Sequence, residues 1–323
     1  MKDPAIFIHS GALGDVLCAT PTIRKISRIY NRKVLVASWN PEVLKNHPDV
    51  SESLNLSEIN QSDFSQRFDV QRTFDMLGKQ DQRGVEFKHA ACDIRQFHAK
   101  DLGFLLKPDE MSCDYYPSDE SSTFLSDLKL PENYIVIHPV KSWESRTWGN
   151  ENWQRFCDSM RDLGVFVVAV GKNTSEQMHL DTVDKPTLDI NIEYGMDLMN
   201  KTNLDQTWRI LNGAFCVVTM DSGIMHLAGT TDTHIIQLGS SVDPLYRTPY
   251  RHGRQDYRYS YIQGECKIHC ASDMRYSLRD WGGIQNVTLI STCLEPGMNF
   301  KCKPSIDPVV SEVLKVKGVN GLI

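Results

Sequence analysis

Asp15 ends the run His9-Ser10-Gly11-Ala12-Leu13-Gly14-Asp15, in which two glycines precede an acid. Glycines after a strand let backbone approach a ligand, and a helix beginning there presents free N–H groups and the positive end of its dipole. Gly11 and Gly14 are therefore expected to line an acceptor or phosphate loop. Asp15 suits two roles, an acid that caps the first helical turn or a general base facing an open cleft. The spacing lacks the glycine pattern of a dinucleotide fold and the Lys-Ser/Thr of a P-loop, which disfavours a dehydrogenase or a kinase.

A second run, Met220-Asp221-Ser222-Gly223-Ile224-Met225-His226, follows an apolar segment and opens a helical one. Ser222 and Gly223 are suited to bring N–H groups and a hydroxyl to a diphosphate, and Asp221 to accept from sugar or ribose hydroxyls. His226 follows Ser222 by one turn, so both can face one ligand, although a helical histidine is as readily a satisfied core residue. A third run, His138 to Trp148, carries Lys141 and Arg146. These cations either converge on an anionic group or stay solvated, and Trp143 and Trp148 beside them favour a loop that lines a ligand.

The elements that must hold these residues alternate strand and helix. Ala5 to His9 reads as a short buried strand, followed by the glycine loop and an apolar helix to Tyr30, kinked or begun afresh at Pro21. Val34 to Ser38 gives the next strand, the βαβ signature of a parallel sheet. Residues 50–85 are weakly patterned and support only short strands; helical spacing returns from Glu86 to Leu106. A polar stretch containing Pro108 and Pro117 places a domain boundary near residue 128. Beyond it the pattern restarts, with strands at Tyr134 to His138, Val165 to Val170, Phe215 to Thr219 and His234 to Leu238 separated by helices. The expected class is α/β, with one Rossmann-like domain over residues 1–128 and a second over 129–303 facing a cleft. Residues 304–323 are expected to form a last helix that packs back on the N-terminal domain.

Composition narrows the function further. With 41% hydrophobic and 24% charged residues among 323, the chain is neither disordered nor fibrous. Its net charge of −6, from 35 basic and 41 acidic residues, gives no general pull toward nucleic acid. No apolar run approaches the roughly 18–20 residues that cross a bilayer, and the N-terminal apolar stretch is too short for a signal peptide. A cytoplasmic protein with no transmembrane segment is expected, at most touching a membrane surface peripherally.

Taken together, G-x-x-G-D with a following Thr-Pro, H-P-x-x-x-W-x-x-R-x-W, and D-S-G-x-M-H-L-A closely resemble glycosyltransferase family 9, over roughly residues 5–250. That family contains the ADP-heptose:lipopolysaccharide heptosyltransferases. The resemblance implies a GT-B fold, with the donor nucleotide bound mainly by the C-terminal domain. It also implies inverting transfer from a nucleotide diphosphate sugar, with ADP-heptose the first candidate, to a glycan or lipid-linked glycan hydroxyl such as lipopolysaccharide core, at the cytoplasmic face of the inner membrane. Asp15 matches the family's acid that deprotonates the acceptor. Arg146 matches a basic position, Lys in many members, that stabilises the leaving diphosphate. Lys141, Asp221, Ser222, Gly223 and His226 fall to donor binding, and no cofactor is required for catalysis. The N-terminal domain is short for the family, so acceptor identity is the least transferable property. A different nucleotide sugar, a protein acceptor, or a non-catalytic sugar-nucleotide or glycan-binding protein remain the alternatives.

Nine cysteines divide into five scattered ones (Cys18, Cys92, Cys113, Cys157, Cys216), expected as reduced core residues, and a C-terminal group. Cys266, Cys270, Cys293 and Cys302 lie in a turn-rich segment, 264–303, and suggest tetrahedral ligation of a structural zinc or iron, with free thiols or a disulfide as the other readings. Some autotransporter-modifying members of the broader family are similar in carrying a cysteine-bound iron.

Overall fold

Short apolar runs build two parallel sheets. The computed structural model describes residues 5–8, 12–60, 64, 67–70, 79–80, 86–87, 92–140, 144–172, 189–273, 293 and 295–319. In the first sheet, β1 (Ala5–Ile8), β2 (Val34–Ser38), β3 (Val50–Asn55) and β4 (Arg67–Val70) lie in the order β3-β2-β1-β4, all parallel. All four side chains of β1 are fully buried, as a parallel strand covered on both faces requires. A two-stranded antiparallel ribbon, β5 (Lys79–Gln80) and β6 (Glu86–Phe87), stands apart from it. The second sheet is formed by β7 (Tyr134–Ile137), β8 (Phe166–Ala169), β9 (Gly195–Asp197), β10 (Cys216–Thr219), β11 (His234–Leu238) and β12 (Tyr259–Ile262). Its order, β12-β11-β10-β7-β8-β9, is that of a doubly wound nucleotide-binding sheet.

The helices are α1 (Leu13–Tyr30), α2 (Ile94–Asp101), α3 (Phe124–Leu128), α4 (Asn150–Asp162), α5 (Leu204–Gly213), α6 (Gly223–Ala228) and α7 (Ile306–Val319). Pro21 lies inside α1, which runs unbroken from Leu13 instead of restarting there. Proline removes the N–H that would bond the carbonyl of Leu17, and the Thr20 hydroxyl donates to that carbonyl at 2.7 Å in its place. Among the described residues no helix is long and apolar enough to cross a membrane.

Three expectations are corrected. The helical spacing from Glu86 to Leu106 narrows, among the described residues, to the helix α2, with Glu86–Phe87 in β6 instead; the Asp93 side chain caps its start by accepting from the Arg95 N–H at 2.9 Å and Gly103, at φ +79°, lies just beyond its end. The terminal helix α7 does not close back on the N-terminal domain. Its Ile306, Val309, Val313 and Val316 join the core of the second sheet with Trp153, Phe156 and Met160 of α4. Trp148 does not line a ligand; it is buried, stacks edge-on against Trp153 at 4.8 Å, and donates its indole N–H to the Pro304 carbonyl at 2.7 Å. Indole burial with the N–H satisfied is a packing arrangement, and it ties the start of α7 to the loop after β7.

Candidate active site

Each sheet reverses its strand order beside one central strand, and chemistry-bearing residues follow those strands. In the first sheet β1 lies between β2 and β4, and the chain leaving it enters α1 at Leu13. In the second, β7 and β10 are neighbours at the reversal; Arg146 follows β7 and Asp221 follows β10. Ligands of open α/β sheets bind at this crevice beyond the carboxyl ends of the strands.

The two domains meet there through α1 and α6. A Cβ on Gly14 would lie 2.9 Å from the His226 ring and 3.3 Å from the Gly223 Cα, and a Cβ on Gly223 would lie 2.9 Å from the Leu13 side chain. Gly14 is thus the second residue of α1 and a helix-to-helix contact, where a place in an acceptor or phosphate loop was expected. The signal was the glycine itself, since absence of a Cβ permits either use. Ser222 spends its hydroxyl on capping α6, accepting from the Met225 N–H at 3.3 Å. Asp15, in the first turn of α1, is 4% exposed, and its charge reaches both His226 and Asp221.

Asp221 is the electrostatic centre of the site. Its Oδ2 lies 3.1 Å from Arg146 Nη2 and 3.9 Å from Arg247 Nε, and its Oδ1 lies 3.9 Å from His226 Nε2. Neither arginine meets Oδ2 with hydrogen-bond alignment, so their attraction to the carboxylate is one of charge. Burial pushes the Asp221 carboxyl up, and Arg146, then Arg247 and His226, more than reverse this and hold it below its ordinary value. The carboxylate is therefore the counter-ion of an arginine pair, a use that its motif does not show.

Sequence reasoning missed Arg247, Arg95 and the use made of Cys18. Arg247 donates to the Cys92 carbonyl at 3.2 Å and Arg95 donates to the Thr248 carbonyl at 2.9 Å, so two buried guanidiniums cross between the domains in opposite directions. Cys18 Sγ lies 3.4 Å from His226 Nδ1. No motif marks these three. Their only local trace is an arginine beside a Thr-Pro and an acid two places before an arginine.

Burial lowers the His226 pKa to about 4, as it does for His138. Both are neutral at pH 7 in the folded protein, while the unfolded chain gains their protons near the ordinary value of about 6.5. Between those limits the unfolded state binds more protons, so stability falls as pH drops from about 6.5 toward 4. Urea-unfolding midpoints are expected to decrease between pH 7 and pH 5, reflecting a loss of unfolding free energy on the order of 1 kcal/mol for each such histidine. A flat midpoint would show that these rings protonate freely in the fold.

Gly11 and Lys141 lie outside the described residues, as does Trp143. In the C-terminal group, Cys266 and Cys302 are buried and Cys270 and Cys293 partly so, and none of the four is joined in a disulfide. The Cys266 N–H donates to the Lys301 carbonyl at 3.0 Å, pinning the two segments together. Burial pushes the Cys270 thiol up to about 12, and Cys302, Cys293 and Cys266 add to the effect by repelling its thiolate. Among the described residues no group of three or more His, Cys, Asp or Glu side chains is arranged to hold a metal ion.

A family model for glycosyltransferase family 9 (heptosyltransferase) matches residues 22–271. The chain belongs to this family. Its fold is GT-B, two Rossmann-like domains, and structures of family members share it. The iron-containing dodecameric glycosyltransferase TibC from enterotoxigenic E. coli H10407 superposes with a TM-score of 0.70 at 13% identity, covering 99% of this chain and 78% of that one. ADP-heptose lps heptosyltransferase II of E. coli gives 0.63 at 14% identity, covering 98% and 99%. In sequence, lipopolysaccharide heptosyltransferase 3 of Escherichia coli (strain K12) is 22% identical over 126 residues, which span 39% of this chain and only 36% of that relative. The family match starts after Asp15 and includes Arg146, Asp221, His226 and Arg247, so Asp15 rests on its place in α1.

Proposed function

We propose that this family 9 protein is an inverting glycosyltransferase that moves a sugar from a nucleotide diphosphate sugar, ADP-heptose first among candidates, to a glycan hydroxyl. The observation that carries the reading is the buried Asp221 carboxylate with Arg146 and Arg247 at the reversal point of the second sheet, set against the first turn of α1 that bears Asp15. Asp15 takes the proton of the acceptor hydroxyl as its oxygen attacks the anomeric carbon. The bond from that carbon to the diphosphate breaks on the opposite face, and the nucleotide diphosphate leaves with its added charge stabilised by Arg146. His226, neutral at pH 7, offers hydrogen bonding without charge. Fixed guanidiniums make a divalent ion unnecessary at the reaction centre.

ADP-heptose is supported as donor by family membership and by TibC, which has been solved in complex with ADP-D-beta-D-heptose and superposes at a TM-score of 0.70. Lipopolysaccharide core is the first acceptor to test, met at the cytoplasmic face of the inner membrane. A structural zinc or iron on Cys266, Cys270, Cys293 and Cys302 belongs to the same reading, supported by the mutual repulsion of their thiolates, which a cation relieves. Calorimetric titration with ADP, UDP, GDP and NAD, with and without chelator and beside metal analysis of the purified protein, tests both parts. Selective ADP binding that survives chelation is expected; NAD binding, or none to any nucleotide, overturns the donor reading, and protein free of zinc and iron overturns the structural ion.

A further inference from the structure

Arg247 is a buried cation to which the transfer reading gives no step of its own. Its side chain is 3% exposed against 17% for Arg146, although both approach the same oxygen of Asp221. Its Nη1 is engaged by two backbone carbonyls, Tyr246 at 2.9 Å and Cys92 at 3.2 Å, the second belonging to the N-terminal domain. A guanidinium anchored in this way stays in place when a ligand arrives. Arg146, 17% exposed and nearer the opening, is the one that an entering diphosphate meets first.

The charges explain why two arginines are needed. A diphosphate entering the cleft competes with Asp221 for Arg146. If Arg146 were the sole counter-ion, every step toward the phosphate would leave a buried carboxylate unpaired, which is strongly disfavoured. His226 does not take over, because it faces Oδ1 at 3.9 Å and is neutral at pH 7. We infer that Arg247 is a positioning residue that keeps the Asp221 carboxylate paired, so that Arg146 is released to the diphosphate of the donor. The inference rests on the donor reading above. Through the Cys92 carbonyl it also makes the pairing depend on the approach of the two domains.

The test compares ADP affinity by calorimetry in the unaltered protein, Arg247→Gln, Arg247→Lys and the double variant Arg247→Gln/Asp221→Asn, with circular dichroism as the check on folding. Arg247→Gln is expected to weaken ADP binding on the order of a hundredfold, because Arg146 is then held by the carboxylate. Removing the carboxylate as well frees Arg146, so the double variant is expected to recover to within about tenfold of the unaltered protein. Arg247→Lys, which keeps a cation beside Asp221, is expected to stay within about tenfold too. A double variant as weak as Arg247→Gln overturns the inference, since it would mean that Arg247 meets the ligand itself or only packs. Unchanged affinity in Arg247→Gln overturns it equally. Should Arg247→Gln fail to fold, the Lys and double variants still decide, as loss of binding in both while folded overturns it. Absence of ADP binding in the unaltered protein would appear before any variant and would remove the donor reading itself.

Discussion

Asp15→Ala is expected to reduce transfer by roughly a thousandfold or more while ADP affinity changes by no more than about threefold. The carboxylate lies in the first turn of α1, on the N-terminal side of the cleft, whereas Arg146, Asp221 and Arg247 belong to the second domain. Removing a base costs the chemical step and leaves leaving-group recognition in place. Turnover with ADP-heptose and a heptose-accepting glycan, measured beside an ADP titration, separates the two. Equal loss of turnover and of ADP binding would assign Asp15 to capping α1, the other role its position allows.

Arg146→Gln is expected to lower kcat by about a hundredfold to a thousandfold, the range for removing one preorganised stabiliser of developing negative charge. ADP affinity should fall less, by about tenfold, because charge on the leaving diphosphate grows as the sugar bond breaks. The protein should remain folded, since Arg247 still faces the Asp221 carboxylate. Arg146→Lys is expected to hold turnover within about tenfold, as a lysine there supplies the charge without the fork. Equal turnover in Arg146→Gln and the unaltered protein would move the leaving-group role to another cation.

Legibility of the fold followed the apolar runs. β2 and β11 fall on the residues expected, and β1, β7, β8 and β10 within one or two residues of them, because fully buried parallel strands read as continuous hydrophobic stretches. The edge strands β9 and β12 were not visible: Gly195–Asp197 is three residues long, and Tyr259–Ile262 is only partly buried. Within the site, Asp15, Arg146, Asp221 and His226 stood in motifs that survive as short patterns along the chain. Arg247 and Arg95 did not, since their partners lie 155 and 153 residues away and only the closed approach of two domains gives them meaning. The ion pairing of Asp221 was not legible for a related reason. A carboxylate after a strand suits a sugar hydroxyl or an arginine equally well until the arginines are placed.

The two sheets share the order 3-2-1-4 about their central strands, β3-β2-β1-β4 in one and β9-β8-β7-β10 in the other. Asp15 follows β1 and Arg146 follows β7, so corresponding places in two like halves carry opposite charge. A cleft made by pairing such halves has an acid on one lip and a cation on the other. The inverting transfer proposed above draws on that polarity, with proton removal on the side of attack and negative charge accepted on the side of departure. In the proposed transfer the two like halves would thus serve opposite ends of one displacement, through side chains of opposite sign at corresponding places.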